Sequence, residues 1–196
     1  EENYINGKLN GICKTYHENG KLNMEENYID GKLEGIVRSY YETGQIFSET
    51  NYVNDEINGF RKIYHENGTL NIESNYLNNR GNGLKKVYYE NGNLSEEANY
   101  VDGKLEGVRK IYNKNGNLSI EKNYINGQLN GFYKTFYNNG NLQSEVNYIN
   151  NYPDGVAKEY YENGQLQRTE NYVNGKKVYG EYSELKSVKR TKGFCF

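Results

Sequence analysis

The chain has 196 residues, of which 35% are hydrophobic, with a mean hydropathy of -1.05, a single proline and no tryptophan; this leaves little to fill the closed core of a compact domain. Its 24 basic and 26 acidic residues give a net charge of -2, so no overall positive field exists to draw in nucleic acid. The 22 tyrosines, evenly spread among β-branched residues, argue against disorder and for a fold that keeps aromatic rings half-buried with the hydroxyl in water.

From the N-terminus, "EENYINGKLNG" introduces a dipeptide, Asn3-Tyr4, that returns at residues 27, 51, 75, 99, 123, 147 and 171, a constant step of 24. Seven full copies result, and an eighth decays after Gly175. In the fifth, "NYVDGKLEGVRKIYNKNGNLSIEK", two alternating segments flank Asn115-Gly116, which predicts two strands joined by a two-residue type I′ turn. Counting outward sets Lys114 opposite Asn117, Tyr112 opposite Ser119 and Lys110 opposite Glu121. The same count sets Lys14 opposite Glu25, Arg38 opposite Glu49, Lys62 opposite Glu73, Lys86 opposite Glu97 and Lys134 opposite Glu145. Six of seven hairpins thus pair opposite charges across the strands, and only Lys158 opposite Thr169 departs.

A second glycine series, Gly11, Gly35, Gly59, Gly83, Gly107, Gly131 and Gly155, falls opposite tyrosines, as Gly107 does opposite Tyr124, so that a ring covers bare backbone. Between hairpins comes another turn, "NYINGKLNG" in the first copy. Stacking without sideways slip requires this turn to place Tyr28 beside Gly35 as well as beside Gly11. Where it lacks its first glycine it carries Asp55, Asn79 or Asn151, residues that tolerate a left-handed backbone, and a positive φ is predicted there.

Val101, Val108 and Tyr112 line one face of the predicted sheet; Leu105, Ile111, Leu118, Ile120 and Tyr124 line the other, oilier one. The predicted fold is all-β, an elongated single-layer antiparallel sheet of about seven stacked 24-residue hairpins over residues 1–176. About fifteen strands would span roughly 70 Å, and a closed barrel is the alternative if each copy slips sideways. Residues 177–196 are read as a degenerate repeat and a basic C-terminal capping tail, with Lys186, Lys189, Arg190 and Lys192 close together. The tail's other reading is a weak contact with an anionic surface. Cys13 and Cys195, near opposite ends of an extended array, are read as unpaired thiols.

With these residues in place, "GVRKIYNKNGNLSIEKNYINGQLNG" resembles the MORN (membrane occupation and recognition nexus) repeat. It is more similar to the bacterial variant of that repeat, with its Gly, Lys, Tyr-Tyr, Glu-Asn-Gly, Leu, Glu, Asn-Tyr, Asn-Gly, Leu, Gly pattern. The resemblance covers residues 1 to about 176 and implies an elongated sheet of stacked hairpins acting as a scaffold or binding surface. Some bacterial relatives are described as antitoxin or immunity proteins, and some eukaryotic ones associate with membranes or phosphoinositides. The typical motif carries tryptophan where Tyr4, Tyr28 and their equivalents stand here.

His17 and His65 hold the same place in the first and third copies, just before the Asn-Gly turn, where the others carry Tyr41, Tyr89, Asn113, Tyr137 and Tyr161. Four strand spacings, roughly 19 Å, separate the histidines, too far to share a metal. No motif sets a serine or cysteine beside a base, the carboxylates belong to the Lys-Glu ladder, and no phosphate loop follows the glycines. No catalytic residue, cofactor or metal is therefore expected. The candidate binding surface is Tyr41, Tyr89, Tyr137, Tyr161, His17 and His65. The expected function is a non-catalytic scaffold for protein–protein interaction through a tyrosine-rich sheet surface; the alternative is an immunity or antitoxin-like protein that neutralises a toxin by direct binding. Protein partners are expected, with self-association through a sheet edge and weak membrane contact as further possibilities, and no nucleic acid. Bacterial cytoplasm and a secreted or cell-surface location both stay open.

Overall fold

The computed structural model describes residues 1–179; the expectations for the tail and for Cys195 lie outside them. Among the described residues there are 21 strand segments and no helix. Each copy gives an outgoing strand such as Gly107–Tyr112 and a return strand such as Leu118–Ile125, and each return strand pairs with the next outgoing one. The sheet is open. Among the described residues Gly11–Tyr16 pairs with no strand but Leu22–Ile29, and Lys176–Val178 with no strand but Leu166–Val173, so no ladder there joins the two ends into a barrel.

The charged register is as predicted. Glu25 stands between Lys14 and Arg38, Glu49 between Arg38 and Lys62, and Glu73 between Lys62 and Lys86. The row continues with Glu97 between Lys86 and Lys110, Glu121 between Lys110 and Lys134, and Glu145 between Lys134 and Lys158, which faces Thr169. One straight row of alternating charge crosses the sheet, so successive copies do not slip.

The hairpin turn that was to set this register has another geometry. Gly116 has φ +87 but Asn115 is not left-handed; Asn113 N–H donates to Asn117 O and Gly116 N–H to Asn113 O, enclosing a three-residue loop. Tyr112 therefore meets Leu118 rather than Ser119, and Leu118 leaves the row of Ile111. A one-residue bulge follows, after which Ile111 meets Ile120 and Lys110 meets Glu121. The extra loop residue and the bulge cancel, which is why the charge pairing survives a wrong turn type. The asparagine serves through its side chain: Asn91 Oδ1 accepts from Asn93 N–H at 3.0 Å, and its Nδ2 donates to Lys114 O of the next copy at 3.0 Å.

The type I′ turn is the one between hairpins, where Asp102 and Gly103 have φ +50 and +76. Asp55, Asn79 and Asn151 take the expected positive φ, at +71, +65 and +70. Each also accepts, through Oδ1, the N–H of Leu33, Ile57 or Leu129 in the preceding copy, at 2.7, 2.7 and 2.8 Å. Backbone bonds such as Gly127 N–H to Leu105 O at 2.8 Å staple these turns to one another along the edge.

The second glycine series sits in a wider bulge. Tyr124 pairs with Gly107 and Leu129, and the next pair is Lys122 with Tyr133, so Asn123 alone faces Asn130, Gly131 and Phe132. By the same geometry Tyr28 pairs with Leu33, not with Gly35. The glycine is needed for its backbone, with φ +104 at Gly131, and not because a ring covers it. A Cβ on Gly131 would meet Asn123 Nδ2 at 2.9 Å, and one on Gly107 would meet nothing within 4 Å. That asparagine amide holds the bulge shut, donating to Asn130 O at 2.6 Å.

Candidate interaction surface

Strand alternation divides the side chains into two faces. The charged row runs down the middle of one, the ladder face. Its shorter ion pairs include Arg38–Glu49 at 3.0 Å, Lys14–Glu25 and Lys158–Glu145 at 3.1 Å, and Lys110–Glu97 at 3.4 Å. The last two join successive copies rather than the strands of one hairpin, so the row acts as much between repeats as within them. Exposed pairs of this kind contribute a few tenths of a kcal/mol each.

Tyrosines beside the row add neutral donors. Tyr64, Tyr88, Tyr112 and Tyr160 donate to Glu49, Glu73, Glu97 and Glu145 of the preceding copy at 3.0, 2.8, 3.1 and 3.0 Å. Burial, then the hydrogen bond Tyr88 donates to Glu73 and that carboxylate's charge, pushes the Tyr88 hydroxyl up to about 12. Tyr112 rises to about 12 through burial and then Glu97. Burial raises Glu145, but the donors Lys158 and Tyr160 and the charges of Lys158 and Lys134 outweigh it and hold the carboxyl low.

On the other flank of the ladder face lies a row that the sequence reading undervalued. Ile5, Ile29, Val53, Leu77, Val101, Ile125, Ile149 and Val173 close their strands at the type I′ turns, and every one is at least 37% exposed. Ile12, Leu84, Val108 and Val156 of the same face are exposed beside them. The supposedly less oily face therefore carries the exposed aliphatic surface. The 24-residue recurrence of an aliphatic two places after Asn-Tyr was the signal for it.

The opposite face holds the buried side chains, Cys13, Thr50, Ser74 and Ala98, all at the middle of their strands. They are small and sit among larger neighbours, which is as near to a core as one layer allows. The tyrosines of Asn-Tyr line this face against leucines, as Tyr100 does against Leu105 and Tyr124 against Leu129.

The six candidate binding residues form a row at the Asn-Gly loops, where most act as ties between copies. Tyr41, Tyr89 and Tyr137 donate their hydroxyls to Tyr64 O, Tyr112 O and Tyr160 O of the next copy at 2.8, 2.8 and 2.7 Å. His17 and His65 do the same through Nε2, to Tyr40 O at 2.9 Å and Tyr88 O at 3.0 Å. Both histidines so act as donors. Tyr161 is 50% exposed, with no such bond among the described residues. No group of three or more His, Cys, Asp and Glu side chains is placed to hold a metal ion among the described residues.

The family comparison agrees with this architecture. The model of the MORN repeat variant family matches seven times, at residues 9–30, 33–54, 58–78, 82–102, 105–126, 129–150 and 153–174. No curated protein matches the chain. Among solved structures, one described as "Crystal structure of GtfA/B complex bound to UDP and GlcNAc" is similar over 58% of this chain and 22% of that one, at 12% identity and a TM-score of 0.26. Each of the seven matches takes in one hairpin loop and ends on the first residue of the type I′ turn that follows, and by them the chain belongs to the MORN repeat variant family.

Proposed function

We propose that the chain is a non-catalytic scaffold that binds protein partners along the aliphatic row of its ladder face. The observation that carries this reading is the row of eight exposed Ile, Val and Leu residues, one per copy, from Ile5 to Val173. Strand propensity alone does not require it, since threonine would serve a strand end as well without exposing apolar area. A repeated exposed apolar row is surface of the kind that partners cover. The loop-edge row of His17, Tyr41, His65, Tyr89, Tyr137 and Tyr161 is a second contact in this reading. Its hydroxyls are largely committed to neighbouring copies, so the rings would do the binding.

The test is quantitative cross-linking in the native cell with the wild type and with the triple variant Leu77→Glu, Val101→Glu, Ile125→Glu. These side chains are exposed, so the circular dichroism of the variant should match the wild type. Partner cross-links should fall about tenfold, the scale of one lost apolar anchor. Partners retained in full would remove the row from the reading. A single partner bound tightly one to one, with rescue of cells from that partner, would instead mark the immunity or antitoxin-like role.

A further inference from the structure

In the seven full copies one equivalent position pairs with the tyrosine of Asn-Tyr: Leu9, Leu33, Ile57, Gly81, Leu105, Leu129 and Pro153. The fourth copy alone has glycine there. Unlike the glycines of the turns and bulges, Gly81 has no positive φ, so the backbone does not ask for it. A Cβ there would point at Tyr100, 3.8 Å from its Cβ and Cγ. The missing side chain opens a hollow of about 310 Å³ on the opposite face, within the range of small-molecule sites. Tyr76 and Tyr100 flank it, Ser74 lies in its floor, and Arg61 and Lys85 reach it from either side of Ser74.

The electrostatics of this hollow differ from the rest of the sheet. Its lining holds two cations and no carboxylate. Neither Arg61 nor Lys85 makes an ion pair among the described residues, and Arg61 Nε is buried with no hydrogen-bond partner. The neighbouring Glu96 is already held by Arg109 through two bonds, at 3.1 and 2.8 Å. A buried charged donor left without an acceptor is costly, and a turn of the Arg61 guanidinium toward an anion in the hollow would give it one. We propose that this hollow binds a small aromatic acid. Its carboxylate or phosphate sits between Arg61 and Lys85, and its ring fills the space that leucine occupies in other copies, between Tyr76 and Tyr100.

The experiment is titration calorimetry with benzoate, phenyl phosphate and inorganic phosphate at fixed ionic strength, together with the NMR shift of the Arg61 Nε–H. At least one aromatic acid should saturate the wild type and move that resonance. Benzoate against phenyl phosphate decides which head group is preferred. Gly81→Leu restores the residue found at four of the other places, so the fold is kept; it should weaken binding at least about tenfold, as should Arg61→Met. Lys110→Met, on the ladder face, should leave binding unchanged. The proposal fails if neither aromatic acid saturates the wild type, if Gly81→Leu binds as well as wild type, or if inorganic phosphate alone binds as tightly as phenyl phosphate.

Discussion

Replacing Gly131 with alanine isolates the feature on which the stacking of copies turns. The backbone there has φ +104, beyond the left-handed helical well near about +57, and a non-glycine residue in that half of the map costs about 1–2 kcal/mol. The new Cβ would lie 2.9 Å from Asn123 Nδ2 and 3.3 Å from Asn123 Cβ, so the amide must swing away and give up its bond to Asn130 O. That bond contributes about 1 kcal/mol, for a combined loss of about 2–3 kcal/mol. Gly107→Ala is the control: φ is +79 and nothing lies within 4 Å, so about 1 kcal/mol should be lost. Urea unfolding followed by far-ultraviolet circular dichroism measures both, and amide exchange over residues 120–135 shows whether the damage is local. Combining Gly131→Ala with Asn123→Ala should cost less than the sum of the two, because the amide that clashes is gone and its bond to Asn130 O, lost in either variant, is lost only once. Equal losses for Gly131→Ala and Gly107→Ala, or strict additivity in the double variant, would refute the idea that the asparagine clamp and the glycine bulge form one unit.

Two further expectations follow from the same contacts. Tyr88 and Tyr112 have hydroxyls raised to about 12 in the folded chain against about 10 when unfolded, so the stability they contribute is whole below pH about 10. It is lost as pH climbs from there toward about 12; the urea midpoint should fall across that window, and Tyr88→Phe with Tyr112→Phe should flatten the fall. Tyr89→Phe removes the donor to Tyr112 O and should cost about 1 kcal/mol, with faster amide exchange confined to the fourth and fifth copies. Tyr161→Phe should leave both measurements unchanged.

Much of the fold is legible in the sequence because a strict 24-residue step constrains every copy at once. A register error in one hairpin would be repeated in all, and the Lys-Glu row would break. The turn types were harder to read. Asn-Gly suits a type I′ turn, but here the asparagine bonds Asn91 Oδ1 to Asn93 N–H and Nδ2 to the next copy, and that second bond is invisible until the copies are stacked. The place of Gly131 was also obscure, since the sequence shows that a glycine recurs but not whether it is there for a ring, a φ value or a neighbouring amide. For the candidate site residues, the place beside the hairpin loop is legible in the sequence and the bond to the next copy is not. Tyr89 looked like a surface ring because nothing in its own copy binds it; its partner is 23 residues away.

Periodic and aperiodic features therefore carry different information in this molecule. A residue that recurs every 24 positions already has a use in holding one copy to the next, as the asparagine clamp, the loop-edge tyrosines and the charged row each do. The aliphatic row is a recurrent feature whose side chains stay exposed after stacking, and for that reason it is the surface we propose for a partner. Departures from the repeat divide in the same way. Asp55, Asn79 and Asn151 depart from glycine and are repaid by a bond to the preceding copy, so stacking explains them. Gly81 departs from leucine with no such bond, no φ that needs it and an unpaired Arg61 Nε beside the gap it leaves. A substitution that removes apolar contact beside two cations without a counter-charge is unexplained by stacking, and it acquires a physical reason once an anion with a flat apolar body occupies the space.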